Sequence, residues 1–430
     1  MRAFRMLMAV AAKFNLDAHQ LDAVNAFVNS TLHEDERMHI ELPEGFKRNG
    51  VVLKLKRALY GLRRSPRLWQ EELVGTLRQL GLSEVPDEPC IMTNGDWLLV
   101  FYYVDDIVLL SRACDKSKKD DFIEKLKEKY QLKDIGELRW FLGIEVKRDR
   151  RERTLSLSQQ AYIEKIAARF EERGKGRTGT PIARIFEKSE DMATEHEIRM
   201  FQQRIGSILY AAISTRPDVA FATAHLSQFL TNPSKEHTDA ANQCLRYLHD
   251  TRHLVLHYGH DRSARDCVWA SDAAFADDIN TRKSTQAYLM KLFGGTVAWR
   301  SGKQDTVTTS STEAELLALT HAAKESLQMA RICASIKLEM DGELQIYCDN
   351  RQTINLVRQE TPKLITRLRH VDIHQHWLRQ LVQLKGTPRI EYIPTNEMPA
   401  DGLTKPFSEQ KMVFFREQLG LVSLRARGVC

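Results

Sequence analysis

The sequence predicts an α+β protein with more than one domain. Three observations carry this. Strand-like and helix-like segments alternate along the first 170 residues, the pattern of a sheet with helices on one face. A polar stretch, 171–200, containing EERGKGRTGTP, then reads as a connecting loop. A second strand-rich region starts near Cys267, after mostly helical sequence.

Size and composition agree. The chain has 430 residues, 43% of them hydrophobic, enough for two or more cores. Net charge is +6 and the pI about 8.8, a mild basic excess compatible with a nucleic-acid partner. The 7 cysteines are scattered without a CxxC pair, which indicates neither a zinc knuckle nor a disulfide framework and suits an intracellular protein with reduced thiols. No run of eighteen apolar residues occurs, so a membrane span is not expected. The N-terminus, MRAFRMLMAVAAKFNL, lacks a signal-peptide cleavage pattern and reads as a helix running straight into a working segment.

Taken in order, Ala3 to Phe14 is helix-like, and QLDAVNAFVNS (Gln20 to Ser30) reads as a strand turning into a helix. ELPEGF is a turn signal, and KLKRALYGLRRSPR (Lys54 to Arg67) holds six basic residues and no acid. Trp97 to Val104 and Ile107 to Leu110 are strand-like, placing Asp105 and Asp106 at the bend of a hairpin. Lys116 to Tyr130 is an amphipathic helix and LRWFLGIEVK a strand candidate. Phe201 to Leu256 is mostly helical, broken at Arg216-Pro217-Asp218. Beyond it come the strand CVWASD, two strand pieces around Gly294-Gly295, a long helix over Ser311 to Leu338, the strand LQIYCDN, helical sequence over 364–382, the strand RIEYIP, and MPADGLTK leading into a last helix.

Two constellations carry chemistry. In FYYVDDIVLL, two carboxylates interrupt an apolar run, where an unpaired carboxylate is costly. Close like charges are relieved by a cation between them, which points to Mg²⁺; a plain Asp-Asp surface turn is the alternative. Asp22 ends another apolar strand just before a helix. Three carboxylates around two metal ions suit nucleotidyl transfer, and the basic stretch Lys54 to Arg67 suits phosphates, or else a solvated basic face.

The second set is Asp272, Glu315, Asp349 and Asp401, at strand ends and helix starts that share one side of a sheet. Such a cluster binds two Mg²⁺ and activates water against a phosphodiester. Taken singly, each residue has another reading: Asp401 as a helix N-cap, Glu313 and Glu315 as surface residues, and the strand-end Asp residues as turn formers. His370 and His374 lie four apart on one helix face with no third ligand spaced to them, so a polar or nucleic-acid-facing helix is expected rather than a metal pair.

QLDAVNAFVNS, LKRALYGLRRSPRLWQ, YVDD, DIGELRWFLGIEV and IGSILYAAISTRPDVAFA together resemble the reverse transcriptase of Ty1/copia-type retrotransposons, in its order and spacing. SDAAFADD, RKST, SSTEAE, IYCDN and ADGLTKP resemble the RNase H domain that follows it. The resemblance covers roughly residues 1–410. It implies a polymerase palm over 1–170, a linker and helical thumb or connection over 171–262, an RNase H-like α/β domain with a mixed sheet over 263–410, and a tail over 411–430. It further implies an RNA-directed DNA polymerase fused to RNase H, with two Mg²⁺ (or Mn²⁺) per site. Asp22, Asp105 and Asp106 stand as polymerase ligands, and Asp272, Glu315, Asp349 and Asp401 as RNase H ligands.

By the same resemblance Phe27 matches the bulky residue that leaves no room for a ribose 2′-OH. Gly61 and Ser65 match the segment beside template and incoming nucleotide, and Leu142-Gly143 the strand pair near the primer end. Glu313 is not a ligand, and no catalytic His is assigned. The implied partners are RNA template, DNA primer, RNA–DNA hybrid and deoxynucleoside triphosphates, with other Gag- or Pol-derived proteins. The implied location is a cytoplasmic virus-like particle or the nucleus. The expectation is also of a palm without the family's preceding fingers region and without its Gag, protease and integrase parts. The competing expectations are a catalytically impaired nucleic-acid-binding relic and a nuclease whose N-terminal half only positions substrate.

Overall fold

The computed structural model describes residues 1–33, 37–259, 265–340, 344–358, 369–383 and 388–423. They form two compact units: a smaller one, 15–138 with 331–338, and a larger one made of the rest. Helix α1 (Arg2–Lys13) and residues 139–170, expected with the palm, group with the larger unit.

The smaller unit is built on a six-stranded sheet. Its strands are β1 (Asp17–Ala23), β4 (Ser83–Val85), β5 (Glu88–Thr93), β6 (Leu98–Tyr103), β7 (Asp106–Ser111) and β8 (Leu132–Glu137), in the order β4-β5-β6-β7-β1-β8. A separate ribbon pairs β2 (His39–Glu41) with β3 (Val52–Lys54). Helices α2 (Ser65–Gln79) and α3 (Lys116–Lys129) share one core with the sheet: Trp69, Leu73 and Leu77 of α2 and Phe122 and Leu126 of α3 meet Val100, Tyr102, Ile107 and Leu109. These strand residues alternate along β6 and β7, as a face buried under helices requires. The expected strand and helix after Gln20 form as β1 and a four-residue 3₁₀ turn, Ala26–Asn29.

The larger unit holds two sheets. One runs β18-β12-β11-β10-β9, from β9 (Trp140–Phe141), β10 (Ile144–Asp149), β11 (Thr154–Ser158), β12 (Leu254–Tyr258) and β18 (Leu421–Ser423). Part of the expected tail, 411–430, is therefore a strand paired with β12. Leu142 and Gly143, both with positive φ, make the two-residue turn between β9 and β10. Helices α4 (Gln160–Arg169), α5 (Glu195–Ser214), α6 (Ala220–Leu226) and α7 (Lys235–Asp250) lie between β11 and β12 in the chain. At the predicted break, Arg216 and Asp218 form a fully buried ion pair, and the Tyr247 hydroxyl donates to Asp218 at 2.8 Å.

The second sheet is mixed. It runs β15-β14-β13-β16-β17 through β13 (Cys267–Ala274), β14 (Thr285–Leu292), β15 (Gly295–Lys303), β16 (Gln345–Cys348) and β17 (Arg389–Tyr392). The first three strands are antiparallel; β16 pairs parallel with β13, and β17 parallel with β16. This is the expected RNase H-like mixed sheet. The accompanying helices are α8 (Ser311–Ser335), α9 (Arg351–Arg358), α10 (Arg369–Gln383) and α11 (Glu409–Gln418). No helix among the described residues is long and apolar enough to cross a membrane.

Helix α1 is tied into the larger unit by Arg5. Its buried guanidinium donates to the carbonyls of Val297 (2.7 Å), Ile213 (2.5 Å) and Ser214 (2.9 Å) and lies 3.8 Å over the Trp299 ring. The last carbonyls of α5 carry partial negative charge, which steadies a cation held without a carboxylate.

Candidate functional site

In the smaller unit, Tyr103 pairs with Asp106, so the hairpin turn is Val104-Asp105 and Asp106 is the first residue of β7. Val104 has φ +56°, a left-handed conformation costly for a β-branched residue. Two bonds hold it there: the Trp69 indole N–H donates to Val104 O at 2.5 Å, and the Ala23 N–H donates to Asp105 O at 2.8 Å. Asp22, one residue before Ala23, is the register partner of Asp106.

Asp105 and Asp106 are thus half-buried at a strained, braced turn rather than a free surface turn. Gln20 donates to Asp106 Oδ1 at 2.8 Å. Burial raises the Asp106 pKa, and the charges of Asp105 and Asp22 raise it further. The Tyr60 hydroxyl pKa is raised by burial and by the charges of Asp105 and Asp22. Phe27 is buried, with its ring 4.4 Å from that of Tyr60. Gly61 has φ +96° and open space where a Cβ would stand. Ser65 is fully buried and donates to Leu59 O at 2.6 Å, closing the turn before α2.

In the larger unit, the mixed sheet and its connections bring the second set together. Asp272 lies on β13, Glu315 in the second turn of α8, Asp349 just past β16, and Asp401 at the start of a three-residue 3₁₀ turn, Asp401–Leu403. Asp401 does not open the last helix, which begins at Glu409, and it makes no capping bond. Glu315 is buried; its Oε1 accepts the Ala273 N–H at 3.2 Å, and its Oε2 is buried without a hydrogen-bond partner. Glu313 is also buried but accepts from the Thr309 N–H (2.6 Å) and hydroxyl (2.8 Å) at the helix start. Neither glutamate is a surface residue.

The electrostatics follow from this crowding. Burial lifts the Asp272 pKa to about 7, with the Asp401 and Asp349 charges adding to it, while the Thr404 hydroxyl bond to Asp272 Oδ2 opposes the rise. Glu315 is raised well above its usual range by burial and by Asp272 and Asp349. Asp401 is raised by burial, partly offset by its ion pair with Lys405. Asp349 accepts from the Thr395 hydroxyl at 2.7 Å. Carboxyl groups held protonated by burial and by a neighbouring carboxylate, with the Glu315 Oε2 lacking any donor, fit a divalent cation.

Among the described residues, the group of three or more metal-ligating side chains whose ligand atoms all lie within 4.8 Å of one another is Glu315, Cys348 and Asp349. Asp272 and Asp401 lie outside that group, and Asp22, Asp105 and Asp106 form none. His374 lies on α10 outside any such group, and the His370 side chain lies outside the described residues.

Reading the residues alone passed over Gln20, Trp69, Tyr60 as a side chain, Cys348, Thr395, Thr404 and Lys405. The motif ADGLTKP already contains Thr404 and Lys405, and IYCDN contains Cys348.

A six-stranded sheet with a braced aspartate turn, and a mixed sheet that carries Asp272 beside Glu315 and Asp349, form the arrangement expected of a reverse transcriptase joined to an RNase H-like domain. Residues 1–184 match the family model described as reverse transcriptase (RNA-dependent DNA polymerase). The chain is 32% identical over 437 residues to the retrovirus-related Pol polyprotein from transposon TNT 1-94 of Nicotiana tabacum, covering 98% of this chain and 32% of the relative. It is 31% identical over 315 residues to a putative transposon Ty5-1 protein of Saccharomyces cerevisiae, covering 71% of this chain and 100% of that protein. A foamy viral protease-reverse transcriptase solved in complex with double-stranded DNA aligns over 90% of this chain and 59% of that chain, with TM-score 0.48 and 16% identity. The chain belongs to the Ty1/copia-type retrotransposon Pol family. It spans about a third of the length of the tobacco polyprotein.

Proposed function

We propose that the chain is an RNA-directed DNA polymerase joined to an RNase H that cleaves the RNA strand of RNA–DNA hybrids. The ribonuclease assignment rests on one observation above all: Asp272, Glu315, Asp349 and Asp401 come from four separate elements, and burial together with a neighbouring carboxylate raises the pKa of Asp272, Glu315 and Asp401. Polymerase chemistry is assigned to Asp22, Asp105 and Asp106 in residues 15–138, and ribonuclease chemistry to residues 263–410. Substrates are an RNA template, a DNA primer, deoxynucleoside triphosphates and the hybrid they yield. The location is intracellular, in a virus-like particle or the nucleus.

Two Mg²⁺ or Mn²⁺ per site, when bound, lower the pKa of an attacking hydroxyl or water and stabilise the leaving oxygen. The chain's own contribution is positioning. Trp69 and Ala23 hold the Val104-Asp105 turn, and Gln20 orients Asp106. Thr404, Thr395 and Lys405 orient Asp272, Asp349 and Asp401, respectively, which leaves little reorganisation for the reaction itself. Phe27, packed on Tyr60, is assigned to exclude a ribose 2′-OH. The wide minor groove of the hybrid, with its 2′-OH groups on one strand, supplies strand choice in cleavage.

One observation favours a ribonuclease-only reading: ligand atoms draw together at Glu315 and Asp349 and not among Asp22, Asp105 and Asp106. Cleavage of a 5′-labelled RNA paired to DNA, in Mg²⁺, tests the ribonuclease half. The parent cuts and Glu315→Gln does not; equal cutting by both removes Glu315 from the chemistry.

A further inference from the structure

We propose that Glu315, Cys348 and Asp349 form a site for a thiophilic divalent cation, Zn²⁺ or Cd²⁺, that overlaps the hydrolytic site and shuts it down when filled. The inhibitory consequence rests on the ribonuclease reading; the site itself rests on geometry. The three ligand atoms lie within 4.8 Å of one another. Tetrahedral Zn²⁺ with Zn–S near 2.3 Å and Zn–O near 2.1 Å sets neighbouring ligands about 3.6 Å apart.

Two further observations point to a ligand here. Glu315 is 6% exposed and its Oε2 has no hydrogen-bond partner, a buried acceptor that a cation satisfies. The Cys348 thiol, at the buried end of β16, makes only a long contact, 3.9 Å, to Asn350 O. Asp349 is half-buried and gives the cation an entrance, with Oδ2 already held by Thr395.

Chemistry separates this site from the hydrolytic one. Mg²⁺ takes hard oxygen ligands and gains nothing from sulfur. Zn²⁺ and Cd²⁺ gain from a thiolate. On binding, the Cys348 S–H bond breaks, its proton leaves to solvent, and a metal–sulfur bond forms; no electron is transferred. The three protein ligands leave a fourth position for water. Glu315 and Asp349 belong to both ligand sets, so the two kinds of occupancy exclude each other.

The test titrates the full chain, freed of metal, with Co²⁺ as a spectroscopic stand-in for Zn²⁺. The parent and a Cys114→Ser control, which removes an exposed thiol, are expected to show the near-ultraviolet thiolate-to-cobalt absorption. Cys348→Ala is expected to lose it, and Zn²⁺ to displace it from the parent. Cys348→Ser serves in the same role if the Ala variant does not melt like the parent. No band in the parent, or a band that survives loss of Cys348, overturns the site whether or not the chain cleaves hybrid. In the cleavage assay, each variant is scored against its own Mg²⁺-only rate. Inhibition by Zn²⁺ in Cys348→Ala is expected to need at least about tenfold more metal, the scale on which lost support weakens metal sites. Equal sensitivity overturns the overlap. Absence of cleavage by the parent in Mg²⁺ counts against the ribonuclease reading and leaves the band to decide the site.

Discussion

Asp22 and Asp106 are direct register partners across the β1–β7 ladder, and the next residue of β1, Ala23, donates its N–H to the carbonyl of Asp105. One strand thus supplies a carboxylate and also braces the turn that carries the other two. The turn's strain sits at Val104, whose carbonyl is taken by Trp69 from the core helix α2. The candidate polymerase site is therefore as rigid as the core beneath it.

The packing at Phe27 gives the first prediction. Phe27→Val opens space beside Tyr60, and the preference for deoxynucleotides over ribonucleotides is expected to fall ten- to two-hundredfold, the value of about 1–3 kcal/mol of pocket discrimination. Competing incorporation of the two sugars in primer extension measures it. An unchanged ratio removes Phe27 from sugar selection and leaves it as core.

Metal-free stability is expected to depend on pH through Asp272. Its folded pKa of about 7 lies above the unfolded value near 3.9. Between those values the folded state holds a proton that the unfolded state lacks, so this contribution is fully present at the acid end and is lost as pH rises towards 7. By linkage it amounts to at most roughly 4 kcal/mol. The melting temperature of the parent minus that of Asp272→Asn, in chelator, is expected to fall from pH 4.5 to 7.5, and Mg²⁺ to flatten the slope. A flat difference without metal contradicts the burial argument.

The segment before α5 has the opposite dependence. His225 Nε2 accepts the Phe186 N–H at 2.8 Å, so the ring must be neutral there. Burial holds its pKa at about 4, helped by the charges of Lys303 and His237, below the unfolded value near 6.5. Its stabilisation is complete above pH 6.5 and is lost as pH falls towards 4. Hydrogen exchange at Phe186, corrected for intrinsic rate, is expected to lose protection between pH 7 and 4.5. Constant protection contradicts the assignment.

The buried pair Arg216–Asp218 is a stability node. Asp218→Asn leaves a fully buried guanidinium without its counter-charge, at an expected cost of about 3–5 kcal/mol. Denaturant unfolding measures it, and a loss below about 1 kcal/mol contradicts the pairing.

What was legible in the sequence, and what was not, divides by range. Asp349 could be read at a strand end, Asp272 on a strand (which runs on two residues further, to Ala274), and Glu315 within α8, because strand and helix patterns are local. The sheet joining β11, β12 and β18 was not legible. Its pairs, such as Leu157 with Leu256 and Leu256 with Leu421, join segments far apart in the chain, and burial rather than local propensity decides them. TLSLS (Thr154 to Ser158) does alternate, but it follows the charged run RDRRER, which reads as loop. Orienting partners such as Thr404 and Gln20 are polar residues with many uses, and only the folded geometry shows which carboxylate each one serves.

The central claim is that two separate carboxylate sites do two separate chemistries, and one paired assay tests it. Primer extension on an RNA template and cleavage of the RNA in a hybrid are measured in Mg²⁺ for the parent, Asp105→Asn and Asp272→Asn, each shown to melt like the parent. Asp105→Asn is expected to abolish extension and keep cleavage, and Asp272→Asn to do the reverse. Loss of both activities in either folded variant, or extension by Asp105→Asn equal to the parent's, would contradict the account.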